Sequence, residues 1–177
     1  MILEKIMTRP VVTVELDDSV RAIKQILDVA PFHHLLVQED GILYGVITDR
    51  DVFKALSPNI GTPLESARDA ATLNKRAHQI MTRKPWTLPR TADVFEAIYL
   101  FNHRGIACVP VVDANNRIEG IVTTRDIFRL LEANKHRFNA ATNASGESIP
   151  YYSASSTTLL RPLTPICWPM NTVAKPF

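Results

Sequence analysis

Two threonine–aspartate pairs carry the chemistry that this chain offers. Thr48 and Asp51 follow Gly45-Val46-Ile47, and Thr123 and Asp126 follow Gly120-Ile121-Val122. Each pair stands where a β-branched apolar run gives way to a helix-like pattern, Val52-Phe53-Lys54-Ala55-Leu56 and Ile127-Phe128-Arg129-Leu130-Leu131. A helix start offers unpaired backbone N–H groups and a partial positive charge. A threonine hydroxyl beside those groups can hold a phosphate, and an aspartate one turn on can accept the two hydroxyls of a ribose. Arg50 and Arg125 add cations next to the phosphate, and Gly45 and Gly120 let a ligand approach the strand backbone. The same Thr-x-x-Asp spacing is also a helix capping box, which needs no ligand, and the two roles are compatible.

The elements around these pairs repeat. Ile6-Met7-Thr8-Arg9 matches Ile80-Met81-Thr82-Arg83 at an offset of 74, and the offset is 75 by Gly45 and Gly120. The added residue falls in the turn between two strands, Glu39-Asp40-Gly41 against Asp113-Ala114-Asn115-Asn116. Both turns tolerate the positive φ of tight hairpins. Each repeat reads as strand, helix, strand, strand, helix. In the first, Val11 to Val14 is a strand. Asp18 or Ser19 caps a helix with Val20, Ile23, Ile26 and Leu27 on one face, and Pro31 ends it. In the second, Thr91 caps the helix of Val94, Ala97, Ile98 and Phe101, and Gly105 closes it. A loop from Ser57 leads to one linking helix, Leu64 to His78. The predicted organisation is a first repeat over 1–60, a linker over 61–78, a second repeat over 79–134 and an irregular tail over 135–177. Neither repeat alone is large enough to bury its apolar face; the two are halves of one module.

With 46% hydrophobic and 21% charged residues, the chain of 177 residues has the composition of a globular protein. No apolar run is long enough to span a bilayer, and the N-terminal residues lack the pattern of a signal peptide. Two cysteines, Cys108 and Cys167, make no disulfide framework, so a cytoplasmic location is expected. A net charge of +2 gives no general reason for nucleic-acid binding. The basic excess lies in residues 135–177, where Lys135, Arg137, Arg161 and Lys175 face only Glu147. That segment is rich in Ser, Thr, Asn and Pro and shows no persistent period, so it reads as a disordered tail or strap.

Paired Ile-Met-Thr-Arg segments, the Gly105 to Asp113 strand with its Val-Pro-Val-Val, and Gly-Ile-Val-Thr-x-Arg-Asp together resemble a tandem CBS-domain pair, the Bateman module. The resemblance covers about residues 1–133. It implies an α+β fold of two β-α-β-β-α repeats related by a pseudo-twofold axis. It also implies clefts that bind adenosine nucleotides, and modules that pair into dimers. On this basis the ligand is AMP, ADP or ATP, with no cofactor and no metal. The expected partners are a second copy and an unidentified regulated protein, with no membrane. The adenine would lie against Thr13, Phe32 and His33 in a first site with Thr48, Arg50 and Asp51. In a second it would lie against Thr87, Ala107, Val109 and Pro110, with Gly120, Thr123, Arg125 and Asp126. The second site is favoured. The first departs from the family pattern at Pro31 and Leu36, and Asp49 after its threonine repels phosphate where the second site has Thr124.

No convergent acid–base pair, metal cluster or activated nucleophile is visible, so catalysis is not expected. His33 and His34, adjacent in a strand, point to opposite faces and cannot chelate one metal. Cys108 reads as a small core residue. Lys75-Arg76 and Arg83-Lys84 read as a solvated basic edge, and His103-Arg104 as cations suited to a helix end. The rival reading is a structural dimerisation module whose clefts are plugged by Phe32, Leu36 and Phe53. A nucleic-acid adaptor would rest on the basic patches alone and require strongly salt-dependent binding.

Overall fold

A computed structural model describes residues 1–136, of which Met1–Ala133 form one compact unit. A single 3₁₀ turn, Leu3–Lys5, leads into β1 (Thr13–Glu15), α1 (Val20–Val29), β2 (His34–Glu39), β3 (Ile42–Thr48) and α2 (Asp49–Ala55). The connection holds α3 (Ala67–Ala71), a 3₁₀ turn (Thr72–Asn74), α4 (Ala77–Ile80) and β4 (Thr82–Arg83). The second half follows as α5 (Val94–Arg104), β5 (Cys108–Val112), β6 (Ile118–Thr123) and α6 (Thr124–Ala133). This is the α+β architecture expected from the repeat, with three local corrections. The first strand starts at Thr13 rather than Val11. Asp93, not Thr91, caps α5, because its side chain accepts from Phe95 N while Glu96 returns to the Asp93 N–H. The linking helix is broken into short pieces. Ser66 and Asp69 start a new capping box inside it, and Lys75 and Arg76 turn extended.

The expected ends elsewhere are present. Ser19 caps α1 by accepting from Ala22 N. Gly105 closes α5 in the left-handed conformation, φ 63°, where a side chain would be strained. Asp40, Gly41 and Asn116 take positive φ in the two hairpin turns.

The halves are interwoven at their beginnings. The first sheet runs β1-β2-β3-β4, so its edge strand β4 comes from the start of the second repeat, pairing Gly45 with Arg83 and Val46 with Thr82. The reciprocal contact is made by the chain's first residues. Thr8 and Ile121 exchange backbone hydrogen bonds of 2.9 and 3.2 Å, and Leu3 N donates to Ala92 O. Leu3 and Met7 consequently lie in the core of the second half, with Val94, Leu100, Val109 and Val122. Ala77, Ile80 and Met81 pack with the core of the first, around Ile23, Leu35 and Ile47.

Side-chain alternation in the strands builds a third core between the halves. Leu35 and Val37 point into the first half while Leu36 points out of it to join Leu43, Val46, Cys108, Val112 and Ile121. Each strand pair is therefore buried on both faces, which explains the near-continuous apolar runs in β2 and β5. No helix among the described residues is long and apolar enough to cross a membrane.

Candidate functional site

At the end of β3, Thr48 caps α2 and closes a capping box with Asp51. Thr48 Oγ1 accepts from Asp51 N at 3.3 Å, and Asp51 Oδ2 accepts from Thr48 N at 2.9 Å and from its hydroxyl at 2.7 Å. Oδ1 of Asp51 has no hydrogen bond among the described residues. The carboxylate borders a cavity of about 400 Å³ lined also by Lys54, Ala55, Lys75, Gln79 and Ile80. An ionised carboxylate oxygen with two open lone pairs can accept two neighbouring hydroxyls.

At the equivalent turn in the second half, Asp126 Oδ2 accepts from Thr123 N at 2.8 Å and from Thr123 Oγ1 at 2.7 Å. Here the second oxygen is taken: Oδ1 stands 3.6 Å from Arg129 Nη1, and Asp126 is only 7% exposed. The turn favoured from sequence thus has its acid tied into the protein, and the other turn has its acid open to a cavity. The reason is one substitution between equivalent helices, since Lys54 occupies the position of Arg129 and makes no ion pair with Asp51.

The two turns are not separate sites, one to each half. Residues of both halves meet around Asp51. Cys108, on β5, is buried, and burial together with the Asp51 carboxylate pushes its thiol up to about 12. His34, the counterpart of Cys108 in the first half, pairs with Thr48 across β2 and β3 as Cys108 pairs with Thr123. Burial holds the His34 pKa below its ordinary value, with Asp49 opposing, His33 adding to the depression and Asp51 opposing. His33 Nδ1 lies 3.3 Å from Asp49 Oδ2. Asp49, expected to repel a phosphate, therefore faces an imidazole. From the second half, Arg125 Nη1 donates to the Pro31 carbonyl at 3.0 Å.

The remaining predicted residues are dispersed. Ala107 is exposed and its carbonyl accepts from Thr124 N at 3.1 Å. Val109 does not face a cleft: it is fully buried in the second-half core, because its side chain alternates away from that of Cys108. Pro110 is also fully buried. Gly120 does not leave room for a ligand either. A Cβ there would stand 2.8 Å from Met7 Sδ, so the space above it belongs to the crossing N-terminal segment. Phe32 packs on the first-half core, Thr87 is half-buried, and Arg50 is exposed. Thr13 lines a different cavity, of about 350 Å³, with Pro10, Val11, Gln38, Gly41, Ile118 and Glu119.

Sequence reasoning missed the roles of His34, Cys108, Lys54 and Lys75 at this site. The signal for the first two was available, since the offset of 74 aligns them one strand away from the paired threonines. Lys75 is not simply a solvated edge. Its ammonium donates to Ala55 O at 2.7 Å and so lies against the end of α2. Arg104 spreads over the Trp86 ring at 4.6 Å, a cation–π contact rather than an anion site.

The CBS domain family matches residues 3–58 and 77–133, and the chain belongs to it. A CBS domain-containing protein of Dictyostelium discoideum is 31% identical over 133 residues, covering 74% of this chain and 91% of that protein. The L-aspartate semialdehyde sulfurtransferase of Methanocaldococcus jannaschii is 32% identical over 135 residues, 76% of this chain but only 24% of the enzyme. Among solved structures, the CBS domain pair of protein MJ0100, in complex with 5′-methylthioadenosine and S-adenosyl-L-methionine, aligns with a TM-score of 0.64 and 30% identity. That match covers 76% of this chain and 98% of the other. CBSX2 in complex with AMP aligns with a TM-score of 0.63 over 76% of this chain and 98% of its own, at 22% identity, and supports the fold alone.

Proposed function

We propose that this CBS pair is a regulatory module that binds an adenine nucleotide, AMP, ADP or ATP, between its halves and signals to a partner protein by a change of shape. The observation that carries the proposal is the unused Oδ1 of Asp51 at the edge of a cavity of about 400 Å³. In this reading Asp51 accepts the ribose hydroxyls, the Thr48 turn and nearby cations face the phosphate, and the base lies among apolar residues from both halves. Adenosine-containing ligands held by the CBS pair of protein MJ0100, 30% identical over nearly its whole length, support that ligand class. A binding-energy difference between two shapes of the module drives the signal. The nucleotide is the ligand, and the module pairs with a second copy.

The plugged-cleft rival is less well supported on the Asp51 side. Of its three plugs, Leu36 is spent in the core between the halves and Phe32 on the first-half core, while Phe53 is 71% exposed. Calorimetric titration with AMP, ADP and ATP tests the proposal, using the unaltered protein and Asp51→Asn. Saturable binding weakened at least about tenfold by the substitution is expected, the loss of a bidentate charge-assisted contact. Absence of saturable heat with all three nucleotides overturns the reading.

A further inference from the structure

The two arginines of the repeated Thr-x-Arg-Asp turns are equivalent in sequence and unlike in structure. Arg125 reaches from the start of α6 into the other half, where its Nη1 donates to Pro31 O at 3.0 Å. Arg50 is exposed and its side chain has no hydrogen bond or ion pair among the described residues. The difference lies in what each arginine meets. α1 ends through Ala30 in extended conformation (φ −84°, ψ 146°), and Pro31 continues the chain with its carbonyl toward the second half. The counterpart of Pro31 is Gly105, in the left-handed conformation, where the chain turns differently. Pro31, which looked like a defect of the first repeat, is thus the acceptor of a direct link between the halves.

We propose that Arg125 is the residue that converts the charge of the bound ligand into a change between the halves. The inference rests on the nucleotide-binding reading above and names how that site is regulated. Pro31 is two residues from His33, whose ring faces Asp49, so Arg125 stands at the rim of the cluster that contains Asp51. A guanidinium bonds an anionic phosphate about twice as strongly as a neutral carbonyl. An adenine ligand with a phosphate draws Arg125 away from Pro31 and releases the link; adenosine, uncharged, occupies the same place and leaves the link intact. The module then distinguishes phosphorylated from unphosphorylated adenosine in its shape as well as in its affinity.

Hydrogen–deuterium exchange of the segment 27–36, read by mass spectrometry alongside calorimetry with AMP and with adenosine, tests this. In the unaltered protein AMP should speed exchange there by about fivefold, the equivalent of one net hydrogen bond, and adenosine should not. Arg125→Ala should show the fast exchange without ligand, gain nothing from AMP, and bind AMP no more tightly than adenosine. Arg125→Lys, which keeps the charge but not the planar fork, should fall between. AMP binding with unchanged exchange, or slow exchange in Arg125→Ala, overturns the inference and leaves the binding proposal standing. Failure of the unaltered protein to bind either ligand overturns both.

Discussion

Met81 lies directly over the α-carbon of Gly45: a Cβ placed there would meet Met81 Sδ at 2.6 Å and the Thr82 carbonyl oxygen at 2.9 Å. Met7 covers Gly120 in the same way, at 2.8 Å, with Thr8 O at 3.2 Å. The repeated glycines are therefore where each half receives the entering segment of the other. Since a backbone oxygen cannot yield as a thioether can, Gly45→Ala should destabilise the protein by about 1–3 kcal/mol. Gly120→Ala should cost less. Urea denaturation of the two variants checks the ranking, and equal midpoints would contradict it.

The crossing has a consequence for where damage appears. Met7 belongs to the first repeat by sequence and to the second-half core by packing. Met7→Ala should cost about 2–4 kcal/mol and speed hydrogen exchange in β5 and β6 more than in β2 and β3. A loss confined to the first half would show that the crossing contacts are not maintained in solution.

The two aspartates should separate stability from binding. Asp126→Ala removes the partner of Thr123 and Arg129 at a buried position, and the lost cap should lower stability by about 1–2 kcal/mol. Asp51→Ala, at a more open turn, should lower stability less and nucleotide affinity more. Thermal unfolding and calorimetry on both variants decide it; a larger loss of affinity in Asp126→Ala would restore the second turn as the main site.

His34 should make stability depend on pH. Its pKa in the folded protein is lowered from 6.5, chiefly by burial, so the unfolded chain binds its proton more readily. The stability associated with a neutral His34 is thus complete above pH 6.5 and is lost as the pH falls below it toward the folded value. Midpoints of unfolding should drop between pH 7.5 and 5.5, and His34→Gln should flatten that part of the profile. An unchanged slope in the variant would assign the dependence to other groups.

Phe53 on α2 and Phe128 on α6 occupy equivalent positions and are 71% and 67% exposed. Exposed aromatic residues on paired helices suit contact with a second copy. Phe53→Asp combined with Phe128→Asp should convert the dimer to a monomer in sedimentation velocity without lowering the melting temperature. A dimer that persists would place the contact elsewhere.

Much of this molecule is legible in its residues. The repeat offset, the hairpin turns at Asp40-Gly41 and Asn116, the Gly105 helix end and the Thr–Asp turns are all short-range features. Each is decided by the residues within a few positions of it, by φ preference, capping chemistry or side-chain period. The expected tail beyond residue 136 lies outside the described residues. The errors share a different character. The linking helix broke where a local capping box at Ser66 and Asp69 competed with a longer helix. Val109 and Pro110 were taken for cleft residues because periodicity says which side chains share a face, not what covers that face. Tertiary structure alone decided that the first residues of each repeat cross to the other half, that Met7 and Met81 fill the space over the glycines, and that Arg125 meets Pro31. It also decided that Arg129 closes off Asp126 while Asp51 stays open. Those outcomes depend on contacts between residues far apart in the chain, and a repeat that makes two turns alike in sequence cannot say which of them its neighbours will occupy.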